Sequence, residues 1–146
     1  MRIRTLLVAG ILGVMPALSQ QSLAHSHQQH QQQQAQDNIK VVVNLTRDKA
    51  PSALMAIRFA TISLQRGNET VLWLNSEGVR LADAKAKHAQ TGKMLRDFIS
   101  KGGKVYVCPH CAQMLGVREL IEGAEFGKPD TIFGLLSEDR VRVISW

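Results

Sequence analysis

The chain has 146 residues, 45% of them hydrophobic and 5% aromatic, with two cysteines and a formal net charge of +6. That length supports one domain with a buried core. The basic residues are scattered, with no Lys/Arg cluster and few aromatics, which argues against nucleic-acid binding and leaves only a weak pull toward anionic substrates or membrane surfaces.

Met1-Arg2-Ile3-Arg4 carries two positive charges, and an apolar run follows from Thr5 to Leu18. At about 14 residues this run is too short to span a bilayer comfortably. Small residues Ser22 and Ala24 then flank Leu23, so residues 1–24 read as a secretory signal peptide cut after Ala24, with a second candidate cut after Ser19. The expectation is a periplasmic protein with no transmembrane anchor after cleavage, and no cysteine lies nearby for a lipid anchor. Loss of Arg2 and Arg4 lowers the formal charge from +6 to +4. Residues 25–38, rich in histidine and glutamine, have no hydrophobic period and read as a disordered tether. If the mature chain begins at His25, the amino terminus with His25 and His27 offers nitrogens suited to Cu(II) or Ni(II), with His30 as a further ligand. No other cofactor is expected.

The domain, residues 39–146, opens with Ile39-Lys40-Val41-Val42-Val43-Asn44-Leu45, a continuous apolar strand of the kind buried on both faces of a parallel sheet. Pro51 suits a helix's first turn, and Leu54, Ile57, Ala60, Thr61 and Leu64 recur at helical spacing until Gly67. Glu69 to Asn75 is a second strand. A short helix or ordered loop from Val79 to His88 is followed by a helix through Met94, Leu95, Phe98 and Ile99, ended by Gly102 and Gly103. The third strand ends at Cys108. A short strand near Ala124–Phe126 has only a poor signal, Pro129 begins a last helix, and Arg140 to Ile144 closes the chain as a strand. Alternating strands and helices predict an α/β sandwich with a mostly parallel sheet.

Ligands of such sheets bind outside the carboxyl ends of the strands. That rule gathers Asn44, Thr46 and Arg47 after the first strand, Asn75 and Glu77 after the second, and Cys108-Pro109-His110-Cys111 after the third. The cysteine pair is the strongest clue to function. It closes a loop too short to be a useful staple, although an oxidising compartment permits the disulfide. With Cys108 at a strand end and a helix start, unpaired N–H groups and the helix dipole are expected to favour a thiolate, and a protonated His110 to push the same way.

The pair admits several readings. A zinc site needs two more ligands, and only His88 and His110 remain in the domain. Cys-Pro-His-Cys is the tetrapeptide of periplasmic disulfide oxidoreductases of the DsbA type, but the thioredoxin fold requires the motif early, and here 35 residues follow Cys111. Two packed cysteines with no reaction are the plainest alternative. A non-enzymatic module that binds metal or a partner through the histidine tail is a reading of another class.

The order of the elements resembles the DsrE/DsrF-like family across the whole mature domain. The resemblance rests on the Asn44 to Asp48 loop, Asn75-Ser76-Glu77-Gly78-Val79, Gly102-Gly103-Lys104-Val105-Tyr106-Val107-Cys108, Gly116-Val117, and Leu120-Ile121-Glu122-Gly123-Ala124-Glu125. It implies a three-layer α/β/α domain with a largely parallel sheet of about five strands, usually oligomeric. In sulfur-relay members, which are typically cytoplasmic, a cysteine after the third strand carries sulfur as a persulfide to a partner. Cys108 matches that position, and Cys111 adds a thiol able to release the sulfur by closing a disulfide. The implied partners are a sulfur-donor or thiol protein or small molecule, and further copies of the chain.

Overall fold

β1 (Lys40–Leu45) forms where the apolar run is longest. Val41, Val42 and Val43 are all buried, so both faces of this strand are covered, as a central position in a parallel sheet requires. The computed structural model describes residues 39–146. The segments expected as a signal peptide at 1–24 and a tether at 25–38, with the expected copper or nickel ligands His25, His27 and His30, lie outside the described residues.

From β1 the chain enters α1 (Ser52–Gln65), whose Ala53, Ala56, Ile57 and Ala60 form one buried stripe. It returns through β2 (Glu69–Leu74), then a 3-10 helix (Ser76–Ala82) and α2 (Ala89–Ser100). Gly102, at φ +92, turns the chain into β3 (Lys104–Val107) from a conformation that L side chains disfavour. The short helix α3 (Pro109–Met114), the three-residue β4 (Ala124–Phe126), α4 (Pro129–Leu136) and β5 (Val141–Ser145) complete the chain. The sheet has five strands in the order β4-β3-β2-β1-β5, every neighbouring pair parallel. The weakly signalled strand at Ala124–Phe126 is therefore real, and it forms one edge.

This order contains one reversal. The steps from β1 to β2, β3 and β4 all move the same way, and right-handed crossovers then put their connections on one face. There α1 and α2 cover Val41, Val43, Leu45, Leu72, Leu74, Val105 and Val107, with Leu95 and Phe98 wholly buried and Ala112 of α3 in the same core. The step from β4 back across the sheet to β5 runs the other way, which puts α4 on the opposite face. Its Ile132 lies with Trp73, whose side chain alternates with Leu72 and Leu74 and so leaves the sheet on that second face.

The amino edge of the sheet is tied by charge. Lys40 pairs with Glu138 at 2.7 Å and Glu69 at 3.3 Å, and Glu69 also takes Lys104 at 2.7 Å. The hydrogen bond to Glu138 raises the Lys40 pKa against the opposing effect of burial, and the bond from Lys104 lowers that of Glu69. At this exposure the network aligns strand starts more than it stabilises the fold.

The core depends on Phe98. Its ring fills the space beside Gly103, where a Cβ would collide with it. Phe98→Ala is expected to lower the unfolding free energy by about 3–5 kcal/mol in urea titration. A loss below about 1 kcal/mol would show that the α2 face is not the main source of stability.

Candidate functional site

Cys108 is the first residue beyond β3. The last pair in that register is Leu74 with Val107, and the Cys108 N–H donates to the Leu74 carbonyl at 2.8 Å. Pro109 lacks an N–H and has a φ suited to the first helical position, so α3 begins there and Cys108 becomes its N-cap. The Cys111 N–H donates to Cys108 Sγ at 3.4 Å. Both cysteines are free thiols, half-buried against the core, while His110 between them is exposed.

The reversal in strand order determines what faces Cys108. The connection after β3 departs on the α1/α2 face and the one after β4 departs on the other, so a crevice opens between the carboxyl ends of these two neighbouring strands. The structure has a cleft of about 420 Å³ there. Cys108, Pro109 and His110 line one side, Gly127, Lys128 and Pro129 another, and Trp73, Ile132, Phe133 and Leu136 supply apolar surface. Gly127 is needed for the approach: its N–H donates to the Val107 carbonyl at 2.9 Å, and a Cβ on it would lie 2.5 Å from the Trp73 ring.

Cys108 and His110 are thus together on a concave surface, and Cys111 stands behind Cys108, off the lining, with its N–H on Cys108 Sγ. The other side chains expected at the site stand elsewhere along the carboxyl edge. Asn75 Nδ2 donates to Asn44 Oδ1, and Asn44 Nδ2 to Ser145 Oγ at 3.1 Å. Thr46 Oγ1 donates to the Trp146 carbonyl at 2.6 Å. These three residues join β1 to β2 and β5, while Arg47 and Glu77 are exposed on the adjoining loops. None of the five lines the cleft. The lining that sequence reasoning missed is Trp73, Gly127, Lys128 and the apolar side of α4. Gly127-Lys128-Pro129 is a turn signal before a helix start, but its place beside Cys108 depends on strand order.

The electrostatics correct one expectation. Burial pushes the Cys108 thiol above the ordinary range, and the Cys111 side chain adds to that push. The backbone N–H groups of Cys111 and His110 pull it down but do not prevail. The reason is physical: six residues make a weak dipole, and the half-buried sulfur loses more hydration than a single 3.4 Å contact restores. His110 acts on Cys108 through its backbone N–H; no effect of its imidazole is among the causes of the shift. Among the described residues, no group of three or more His, Cys, Asp or Glu side chains is placed to hold a metal ion, and no helix is long and apolar enough to cross a membrane.

A five-stranded parallel sheet with helices on both faces defines a class of small α/β/α domain. The chain matches the DsrE/DsrF-like family over residues 37–146, and it belongs to that family. An uncharacterized protein of Methanocaldococcus jannaschii is 28% identical over 117 residues, which cover 74% of this chain and 42% of that protein. The chain therefore spans less than half of that relative's length. The crystal structure of the ychN protein from E. coli superimposes with a TM-score of 0.62 at 22% identity, covering 73% of this chain and 99% of that one. The likeness carries the fold.

Burial and the second thiol both raise the Cys108 pKa, so iodoacetamide should alkylate Cys108 with a midpoint above that of a free cysteine, moving to lower pH in Cys111→Ala. The sign for stability follows. The folded state holds this proton more tightly than the unfolded chain, so the contribution is present below the unfolded thiol's pKa and is lost as pH rises through the folded value. Rates measured by mass spectrometry across pH check this. An alkylation midpoint below that of a free thiol would mean that the N–H groups outweigh burial.

Proposed function

We propose that the protein carries or transfers sulfur as a persulfide on Cys108, in the periplasm, after removal of residues 1–24. One observation carries this reading: the family's sulfur-bearing position is occupied by a thiol that opens onto a cleft, with a second thiol three residues away. In the loading step, the Cys108 thiolate attacks the outer sulfur of a donor persulfide. The donor S–S bond breaks, the donor thiolate leaves with the electron pair and takes up a proton, and Cys108 holds the sulfane sulfur. Delivery is the same displacement by an acceptor thiolate. Alternatively, Cys111 attacks Cys108 Sγ, closing a disulfide and expelling hydrosulfide. The sulfane sulfur is then reduced, the two cysteines are oxidised, and an external dithiol must reopen the pair.

The raised thiol pKa supports sulfur carriage over the alternative of dithiol/disulfide exchange as an oxidant. A strongly oxidising disulfide requires a stabilised thiolate in its reduced form, which burial of Cys108 opposes. The high-pKa thiolate is scarcer but more nucleophilic, which suits attack on sulfane sulfur. Exposed Phe59, Ile62 and Val143, which line a cleft at the β5 edge, support assembly of several copies. The partners we propose are a sulfur-donor or thiol protein or small molecule.

Intact-mass spectrometry of the mature protein, thiols trapped, before and after a sulfane-sulfur donor, tests this. The expected outcome is a gain of one sulfur mapped to Cys108, absent in Cys108→Ser and longer-lived in Cys111→Ser. Loss of two hydrogens without an adduct would transfer the assignment to disulfide exchange, and an inert pair would overturn both. The same spectrum reads the mature amino terminus.

A further inference from the structure

We propose that the molecule that exchanges sulfur with Cys108 is a low-molecular-weight organic persulfide or thiol with an aromatic or branched apolar body and one carboxylate. This inference rests on the reading of Cys108 as the sulfur-handling thiol and adds its substrate class.

The cleft beside Cys108 is apolar over nearly all of its surface. Trp73, Ile132, Phe133 and Leu136 face it, and Phe133 and Leu136 are 69% and 46% exposed, so an apolar guest removes their side chains from water. Its volume of about 420 Å³ lies in the small-molecule range. The charged side chains on its lining are few: Lys128 at the lead into α4 and, when protonated, His110. Lys128 has no ion-pair partner among the described residues, and no carboxylate lines the cleft. The site thus matches one anionic group, an apolar body and a sulfur within reach of Cys108.

Other donors fit less well. An inorganic polysulfide is a small hydrated anion that gains nothing from the four apolar side chains. A tripeptide persulfide such as that of glutathione brings two carboxylates, an ammonium and amides, which this lining cannot satisfy. Loading is the displacement described above: the guest's S–S bond breaks, its thiolate leaves with the electron pair and a proton, and a new S–S bond forms at Cys108.

The test uses the full mature chain and three donors: the persulfide of mercaptophenylpropionate, glutathione persulfide and inorganic polysulfide. Sulfur gain at Cys108 is timed by quenched mass spectrometry. The aromatic donor is expected to load at least about tenfold faster than either other donor, within the range apolar pockets achieve. Phe133→Ser and Leu136→Ser, both at exposed positions, are expected to lower the ratio of aromatic to inorganic rates about tenfold. Lys128→Gln should slow the aromatic acid but not its carboxamide. Equal rates for the three donors, variants that leave the ratio unchanged, or loading only from a persulfidated protein would overturn the inference.

A binding measurement separates its failure from that of the sulfur reading. Cys108→Ser is titrated with phenyllactate, which has no sulfur, and the Ile132 methyl resonance is followed. Saturable binding lost in Phe133→Ser, with no donor loading sulfur on the wild-type chain, would sink the sulfur reading, and with it this substrate assignment. Sulfur loading from polysulfide with no phenyllactate binding would sink the apolar substrate alone.

Discussion

The site depends on a single reversal of direction in an all-parallel sheet. Four strands are laid down in order and the fifth is added on the far side of the first, so the last crossover must run on the opposite face. Chain leaving β3 and chain leaving β4 therefore separate, although the two strands are hydrogen-bonded neighbours. Between them Cys108 gains a concave environment that a strand end elsewhere in this sheet would lack. Had β5 been added beyond β4, every crossover would lie on one face and Cys108 would end against a continuous layer of helices.

Two opposed effects set the character of the thiol in that crevice. The N-cap position supplies N–H groups that favour the thiolate, whereas partial burial and the adjacent Cys111 favour the protonated form, and the latter prevail. A six-residue helix cannot reverse this, because the partial charge at its start is small and the Cys111 N–H contact to the sulfur is long, at 3.4 Å. A thiol of this kind is a poor leaving group and a strong nucleophile once ionised. That character agrees with the proposed sulfur carriage better than with the alternative of an easily reduced disulfide.

Much of the architecture was legible because local physics dictates it. The Val41-Val42-Val43 run could be satisfied only by burial on both faces, and the spacing of Leu54, Ile57, Ala60, Thr61 and Leu64 announced a helix, although its buried stripe is Ala53, Ala56, Ile57 and Ala60. Pro51 and Pro129 marked helix starts, and Gly102 marked a stop. The cysteine pair was legible as chemistry because two thiols bracketing Pro-His are a poor staple. What faces them was not legible. β4 is only three residues long, and its Ala-Glu-Phe carries no alternation strong enough to announce a strand. Strand order is a property of pairing between distant segments, so the carboxyl-end rule could bring together all the early strand ends but could not select the crevice between β3 and β4. Asn44 and Asn75 illustrate this. Polar residues at strand ends read equally well as ligand contacts or as ties between strands, and their mutual hydrogen bond became visible only with the register.

The two faces of the sheet divide stability from recognition. On one face α1 and α2 bury Ile57, Leu95 and Phe98 completely, and the fold draws its hydrophobic free energy there. On the other, a single helix without one fully buried residue crosses the sheet. Apolar side chains on α4 therefore contribute little to the core, yet Phe133 and Leu136 stay where exposure to water is unfavourable. A chain that needed α4 only to cross between strands could place polar residues at those positions at no loss of stability. Phenylalanine and leucine stand there on the lining that also holds Cys108, and the proposed apolar substrate gives that surface a use that the core does not.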